Sequence, residues 1–165
     1  MSRSEEFVQY LDRRREDRAV LAALRRGLGH APGTVADMYP YVVPWLSVDT
    51  PPWEETAFYV VAALFAYHPD PGGSGNMGHH FARARTAMGE DTAIERRFTV
   101  LLSAHPDDLD FHLRQAVSFL KSKDVPVNWQ QLLVDLLAWS HPDGYVQRRW
   151  ARAFWGRRDQ QQESN

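Results

Sequence analysis

The stretch that decides the fold is WEETAFYVVAALFAY, residues 53–67. After Glu54 and Glu55 it is apolar on almost all sides, which marks a helix enclosed by its neighbours rather than one lying at a surface. It is the expected central helix. Outward from it, nearly every periodic segment has helical spacing, and no segment alternates apolar and polar residues for long enough to read as a strand. The expected class is therefore all-α, a compact bundle of about eight or nine helices. Upstream, a helix over residues 5–15 precedes one that Asp17 caps, with Val20, Leu21, Leu24 and Leu28 on one face and Gly27 and Gly29 at its end. Between residues 30 and 52, Pro32, Gly33, Pro40, Pro44, Pro51 and Pro52 keep any helix short or kinked. Met38, Tyr39, Tyr41, Val42, Val43, Trp45 and Leu46 in the same segment need cover, so it should drape over the core.

Downstream lies PDPGGSGNMG, residues 69–78, dense enough in Gly and Pro to be the natural mobile boundary of a two-lobed chain. The expected division is an N-terminal helical lobe over 1–70, a flexible loop over 71–78, a C-terminal helical bundle over 79–157 and a disordered tail over 158–165. Helices are expected at 78–88, 91–104, 107–122, 128–140 and 144–156. Ile94, Phe98, Leu101 and Leu102 form one apolar stripe, and Leu109, Leu113, Ala116, Val117 and Leu120 the next. Trp129, Leu132, Leu133, Leu136 and Leu137 repeat the pattern, as do Val146, Trp150, Ala153 and Phe154, so four amphipathic helices with short connections can close a bundle.

Composition narrows the function. A chain of 165 residues with 44% hydrophobic and 24% charged residues is sized for one cooperative core and too apolar for disorder. With no cysteine, disulfides, thiolate nucleophiles and Cys-ligated metals are excluded. No apolar run reaches the roughly 18 residues that cross a bilayer, and MSRSEEFVQYLDRRRED lacks a secretory signal's apolar stretch, so the cytoplasm is expected. Net charge is −2, from 19 basic and 21 acidic residues, and bulk charge alone does not announce a nucleic-acid binder. Its distribution is uneven: residues 1–30 sum to +2, 31–75 to −5 with no cation, 76–124 to 0 and 125–165 to +1.

Enzyme chemistry finds little support. His79 and His80 are adjacent, so on a helix they point about 100° apart and cannot face one ion as H-E-x-x-H does. The metal site that can be drawn joins His68, His79, His80 and Asp70 across the loop, but no metal or cofactor is expected. Asp107, Asp108 and Asp110 follow Pro106 at a helix start, where capping and the helix dipole account for them. GGSGNMG has neither a preceding strand nor a following Lys-Ser or Lys-Thr, so it is not a phosphate loop.

The cations offer more. Seventeen of the nineteen are Arg, whose fork suits phosphate. With Leu109, Leu113, Val117 and Leu120 inward, Arg114, Ser118 and Lys121 form a stripe along the outer side of their helix. Arg96 faces away from the Ile94 stripe and Arg97 flanks it, with its stem free to lie along apolar surface. Arg18 and Arg25 sit seven apart, Arg26 lies opposite the core face of the same helix, and Arg148 and Arg152 sit four apart beside Arg149. If these stripes converge, the contact would be to phosphate oxygens, insensitive to base sequence and weakened by salt. An aromatic stacking platform for single strands is a further option, although most Trp and Tyr fit core positions.

The succession LRRGLG (24–29), LFAYHP (64–69), ERRFTVLLSA (95–104), LRQAVSFLKSKDVPVNWQQLLVDLLAW (113–139) and RRWARAFW (148–155) resembles the CasB family in order and spacing. That family is the small subunit of the type I-E CRISPR surveillance complex, Cascade. The resemblance implies a non-catalytic, all-helical subunit of antiviral defence, present in two copies beside subunits of the CasA, CasC, CasD and CasE families. It would hold guide RNA and target DNA when the duplex opens. Carried over, Arg25 and Arg26 match the family's N-terminal Arg pair, Arg96 and Arg97 its R-R-F pair, and Arg114 its L-R helix. Arg148 and Arg149 match its C-terminal basic cluster, with Arg83, Lys121 and Lys123 as additions. The near-neutral total departs from a strongly basic member, so affinity would come from the assembly. The acidic segment 31–75 would then face a partner subunit. The alternatives are a purely structural helical adaptor without nucleic-acid contact and a metal hydrolase using His68, His79 and His80.

Overall fold

Ten consecutive residues of the helix Pro52–Tyr67, from Ala57 to Ala66, are buried, as its all-round apolarity requires. The computed structural model describes residues 1–88 and 92–157; the expected tail 158–165 and the expected helix start at 91 lie outside them. Among the described residues there are nine α-helices and no strand: α1 (Arg3–Asp12), α2 (Arg18–Arg25), α3 (Tyr39–Val42), α4 (Pro52–Tyr67), α5 (Met77–Met88), α6 (Thr92–Leu102), α7 (Leu109–Ser122), α8 (Trp129–Leu137) and α9 (Tyr145–Trp155). α4 is flanked by α2, α8, α3 and α7, and α1 lies on α8. The four helices that pack among themselves in the second half are α5, α6, α7 and α9, while α8 crosses to α4 and α1. The buried side chains form one cluster running from Phe7 to Phe154. Aromatic pairs such as Phe7–Phe58 (4.9 Å) and Phe98–Phe154 (4.7 Å) sit at its two ends.

Local chemistry sets where the helices begin. Ser2 and Glu5 form a capping box on α1, Asp17 Oδ1 accepts from Val20 N–H at 3.2 Å, and Asn128 Oδ1 accepts from Gln131 N–H at 3.1 Å. Such caps contribute about 1 kcal/mol each. The entry to α7 differs from expectation. Pro106–Asp108 is a separate 3-10 turn, and Asp108, at the N-cap of α7, makes no side-chain capping bond. The cap is His105: its Nδ1 accepts from Asp107 N–H at 3.1 Å. The same His-Pro-Asp corner recurs before α9, where His141 Nδ1 accepts from Asp143 N–H at 3.2 Å. Proline removes one N–H, and the extended backbone of His105 aims its ring over the next donor. The three aspartates retain only the favourable field of the helix start.

The segment 30–52 lies over the core as two 3-10 turns, Ala36–Met38 and Val43–Trp45, on either side of α3. Met38 and Val42 are buried and Tyr41, Trp45 and Leu46 half-buried, but Tyr39 and Val43 stay exposed at 39% and 48%. A short helical stretch presents a single face, so the residues between its inward positions remain outside.

Two histidines fasten the chain before α8. His68, buried at the end of α4, donates from Nε2 to the Val125 carbonyl at 2.7 Å. His80, buried on α5, accepts from Asn128 N–H at Nε2 (3.1 Å), and Arg83 Nη1 lies 3.1 Å from its Nδ1. Arg83 in turn donates to the Ser74 carbonyl (2.8 Å) and to Ser74 Oγ (3.0 Å). Burial first, then Arg83 and the rings of His79 and His68, push the His80 pKa down to about 3. Because the unfolded chain binds this proton near pH 6.5 and the folded chain does not, stability falls as pH drops through the window from about 6.5 towards 3. The loss is expected to approach ~1.4 kcal/mol per pH unit inside that window, and to be smaller in His80→Gln when urea midpoints of the two proteins are compared. At the start of α5, Gly78 meets the Trp150 carbonyl of α9 so closely that a Cβ would collide with backbone. Gly78→Ala should lower the urea midpoint by the equivalent of ~1–3 kcal/mol.

Candidate nucleic-acid interface

The C-terminal end of α4 collects cations because its last carbonyls lack intrahelical partners and carry the negative end of the helix dipole. Arg25, from α2, donates to the Ala66 carbonyl at 3.3 Å. Lys121, from α7, donates to the Tyr67 carbonyl at 2.9 Å, with its ammonium 4.1 Å from the Tyr67 ring centroid. Tyr67 Oη also donates to Ser118 Oγ at 3.3 Å. Arg114, one turn before Ser118, runs beside Gly29, which adopts φ +80° and leaves the space a Cβ would take to the guanidinium. Arg25, Arg114 and Lys121 thus meet along one edge of α7. The hydrogen bonds of Arg25 and Lys121 each use one donor of a group that has five or three, so donors remain for an anion.

The opposite edge of α7 carries a second set around Phe119. The Arg97 guanidinium lies 5.3 Å and the Lys123 ammonium 5.9 Å from the Phe119 ring centroid, and Phe119 stacks on buried Phe81 at 5.6 Å. Arg96 and Arg97 line the groove between α6 and α7, with Val100, His112 and Gln115. α7 therefore has cations along both sides of its solvent face, two contributed by itself and the others by α2, α6 and the turn that follows.

The remaining predicted residues sit elsewhere. Arg83 is exposed on α5 and held by Ser74. Arg149, on α9, lies 4.7 Å from the Tyr145 ring centroid, and its backbone carbonyl faces Asn76 of the same loop as Ser74. Arg148 donates to the Asp143 carbonyl at the start of its own helix. Arg26 forms an ion pair with Asp37 at 2.5 Å. Among the described residues it is the one predicted cation with a carboxylate within ion-pair distance.

Phe119 and Tyr67 were not singled out by the sequence, although they seat three of the cations. A signal existed for Phe119, an aromatic residue one position off the Leu113–Val117–Leu120 stripe. A second omission is Asp135, buried on α8, which accepts from Trp150 Nε1 at 2.7 Å and Gln131 Nε2 at 2.9 Å. Burial pushes its carboxyl pKa up, and both hydrogen bonds oppose that shift. Its trace in the sequence is a lone charge inside LLVDLLAW. As for a metal, His68 and His80 spend ring nitrogens on the backbone, His79 Nδ1 accepts from Asn76 N–H at 3.0 Å, and no group of three His, Cys, Asp or Glu among the described residues could hold an ion. No helix among them is long and apolar enough to cross a membrane.

Comparison with known proteins gives one consistent result. The model of the CRISPR-associated protein Cse2 family matches residues 20–155. The CRISPR-associated protein Cse2 of Thermus thermophilus is 38% identical over 161 residues, 94% of this chain and 92% of that protein. The crystal structure of CasB from Thermus thermophilus superposes with a TM-score of 0.83 at 34% identity, covering 95% of this chain and all of that one. A chain of a CRISPR RNA-guided surveillance complex superposes at 0.80, with 28% identity over 92% of this chain and 91% of its own. A family match over most of its length, 38% identity to a Cse2 protein across nearly the whole chain and an all-helical fold shared with CasB place this chain in the Cse2, or CasB, family of CRISPR-associated proteins.

Proposed function

We propose that this chain is the non-catalytic small subunit of a type I-E CRISPR surveillance complex, and that it stabilises the opened target by sequence-independent contacts to phosphates. The observation that carries this reading is the set of cations along both edges of α7. Arg25, Arg97, Lys121 and Lys123 are oriented by carbonyls and aromatic rings, Arg114 lies against Gly29, and none of the five forms an ion pair with a carboxylate among the described residues. Arg96 joins them across the α6–α7 groove. Similarity to a chain of an RNA-guided surveillance complex supports assembly with CasA, CasC, CasD and CasE family subunits and a second copy of this one. Strand exchange between duplexes in such systems is close to balanced, so backbone contacts of modest strength tip it towards the open state. Base pairing, not this subunit, would read the sequence. Arg83, Arg148 and Arg149, at the α5–α9 side, would extend the contact to a second strand or to the guide.

A protein-facing side fits the rest of the surface. No Lys or Arg occurs between Arg26 and Arg83, while Asp37, Asp49, Glu54, Glu55 and Asp70 do. Trp53, at the start of α4, stays 60% exposed beside a hollow lined by Pro106, Leu136 and Trp139. Such a surface suits a partner subunit with basic and apolar side chains rather than a polyanion.

In the assembled complex, Arg96→Glu, Arg97→Glu and Arg114→Glu together are expected to weaken target-DNA retention at least ~10-fold at low salt, with helix content by circular dichroism unchanged, and to flatten the log–log salt dependence by ~2. Retention equal to that of the unaltered complex at low salt would remove the electrostatic surface. Because the Arg26 guanidinium is already engaged by Asp37, Arg26→Ala should reduce target-DNA retention, read by filter binding, less than Arg114→Ala does.

A further inference from the structure

Phe111 stands on the solvent face of α7 with 60% of its surface exposed, although it is large and apolar, near the start of the helix where the acidic first turn gives way to the cations. It lines two hollows at once. On one side it borders the hollow that contains Arg114, together with Gly29, Tyr59 and Asp110. On the other it borders the α6–α7 groove that contains Arg96 and Arg97, with His112 and Gln115. Arg114 and Gln115 are three and four residues further along α7, which puts them on the same helical face as the ring. The His112 ring meets the Phe111 ring edge-on at 5.4 Å and fills in one border of this platform.

An exposed aromatic ring between guanidinium groups is the arrangement by which single strands are held: the cations take successive phosphates while an unpaired base stacks on the ring. A duplex cannot use it, because its bases are already stacked. Resting on the reading of α7 as a phosphate-binding surface, we infer that Phe111 is a base-stacking residue that makes this surface selective for unpaired nucleotides. The strand's course is set by charge. Towards the start of α7 the surface turns acidic at Asp107, Asp108 and Asp110, so the phosphates run from Phe111 towards Ser118 and Lys121. The protein thereby gains a means of distinguishing a displaced strand from a closed duplex, which uniform phosphate attraction does not provide.

The test uses the full chain and three fluorescein-labelled probes of about 15 nucleotides, a thymidine tract, an abasic tract of the same length and a duplex, read by anisotropy at low salt. The unaltered chain is expected to bind the thymidine tract about 10-fold more tightly than the abasic tract, which has phosphates but no bases. Phe111→Ala should erase that preference without changing the salt slope, and Phe111→Tyr should restore it. Arg96→Glu with Arg97→Glu and Arg114→Glu should weaken all three probes together. A preference that survives Phe111→Ala, or no preference in the unaltered chain, overturns the stacking role while the electrostatic surface stands. Binding of all three probes by the Arg-to-Glu variant as tightly as by the unaltered chain overturns the electrostatic reading instead. If Phe111→Ala impairs assembly with partner subunits and leaves the oligonucleotide preference intact, Phe111 is a protein contact and the inference is wrong.

Discussion

The complete enclosure of α4 is the constraint on which the rest of the molecule depends. A helix buried along ten successive residues can hide neither its surface nor its terminal carbonyls by itself. Its flanks require helices with one apolar face each, which α2, α7 and α8 supply, and its C-terminal end requires donors. Arg25 and Lys121 provide them by reaching from two different helices to adjacent carbonyls. A requirement of folding thus brings separated cations together, and the same side chains keep donors directed to solvent. This links the core to the proposed interface: a change that rotates α2 or α7 against α4 would disperse the cations as it loosened the packing.

The aromatic rings have a related role. Cations in a row repel one another, and without support their flexible stems would spread. Tyr67 and Phe119 reduce that freedom by offering ring faces to Lys121, Arg97 and Lys123, attractions of roughly 0.5–1 kcal/mol at exposed sites. Phe119 is itself fixed by Phe81, which is buried. The surface is therefore partly preorganised for phosphate, which lowers the ordering cost of binding. The chain's net charge stays near zero, at −2, and its one stretch without Lys or Arg, residues 31–75 with five carboxylates, suits protein contact. In an assembly, neighbouring subunits raise the effective concentration, so a modest intrinsic affinity suffices.

The connections between helices show how similar sequences acquire different roles. His-Pro-Asp occurs at residues 68–70, 105–107 and 141–143. At the last two the histidine caps the following turn at the surface. At the first it is buried and bonds to Val125, across from its own helix. The difference lies in what surrounds α4, not in the triplet.

Much of the fold was legible in the sequence because helical periodicity is a local property. The apolar run 53–67, the stripes of α6 to α9 and the cap at Asp17 all follow from spacing along the chain. The outward stripe of Arg114, Ser118 and Lys121 was legible for the same reason, since residues three and four apart share a helix face. The exposure of Tyr39 and Val43 and the capping role of His105 were not, because they depend on where a turn tightens to 3-10 geometry after proline. Nor could spacing show that Arg26 meets Asp37, that Asp135 is held by Trp150, or that Phe111 lies between Arg114 and the Arg96–Arg97 pair. Those contacts join side chains from separate elements, and only the packing of the helices around α4 decides which of them meet. By itself the sequence determined which helices form and which way each faces; the tertiary structure alone decided which faces adjoin, because burial of α4 is a condition on the whole shell and not on any one segment.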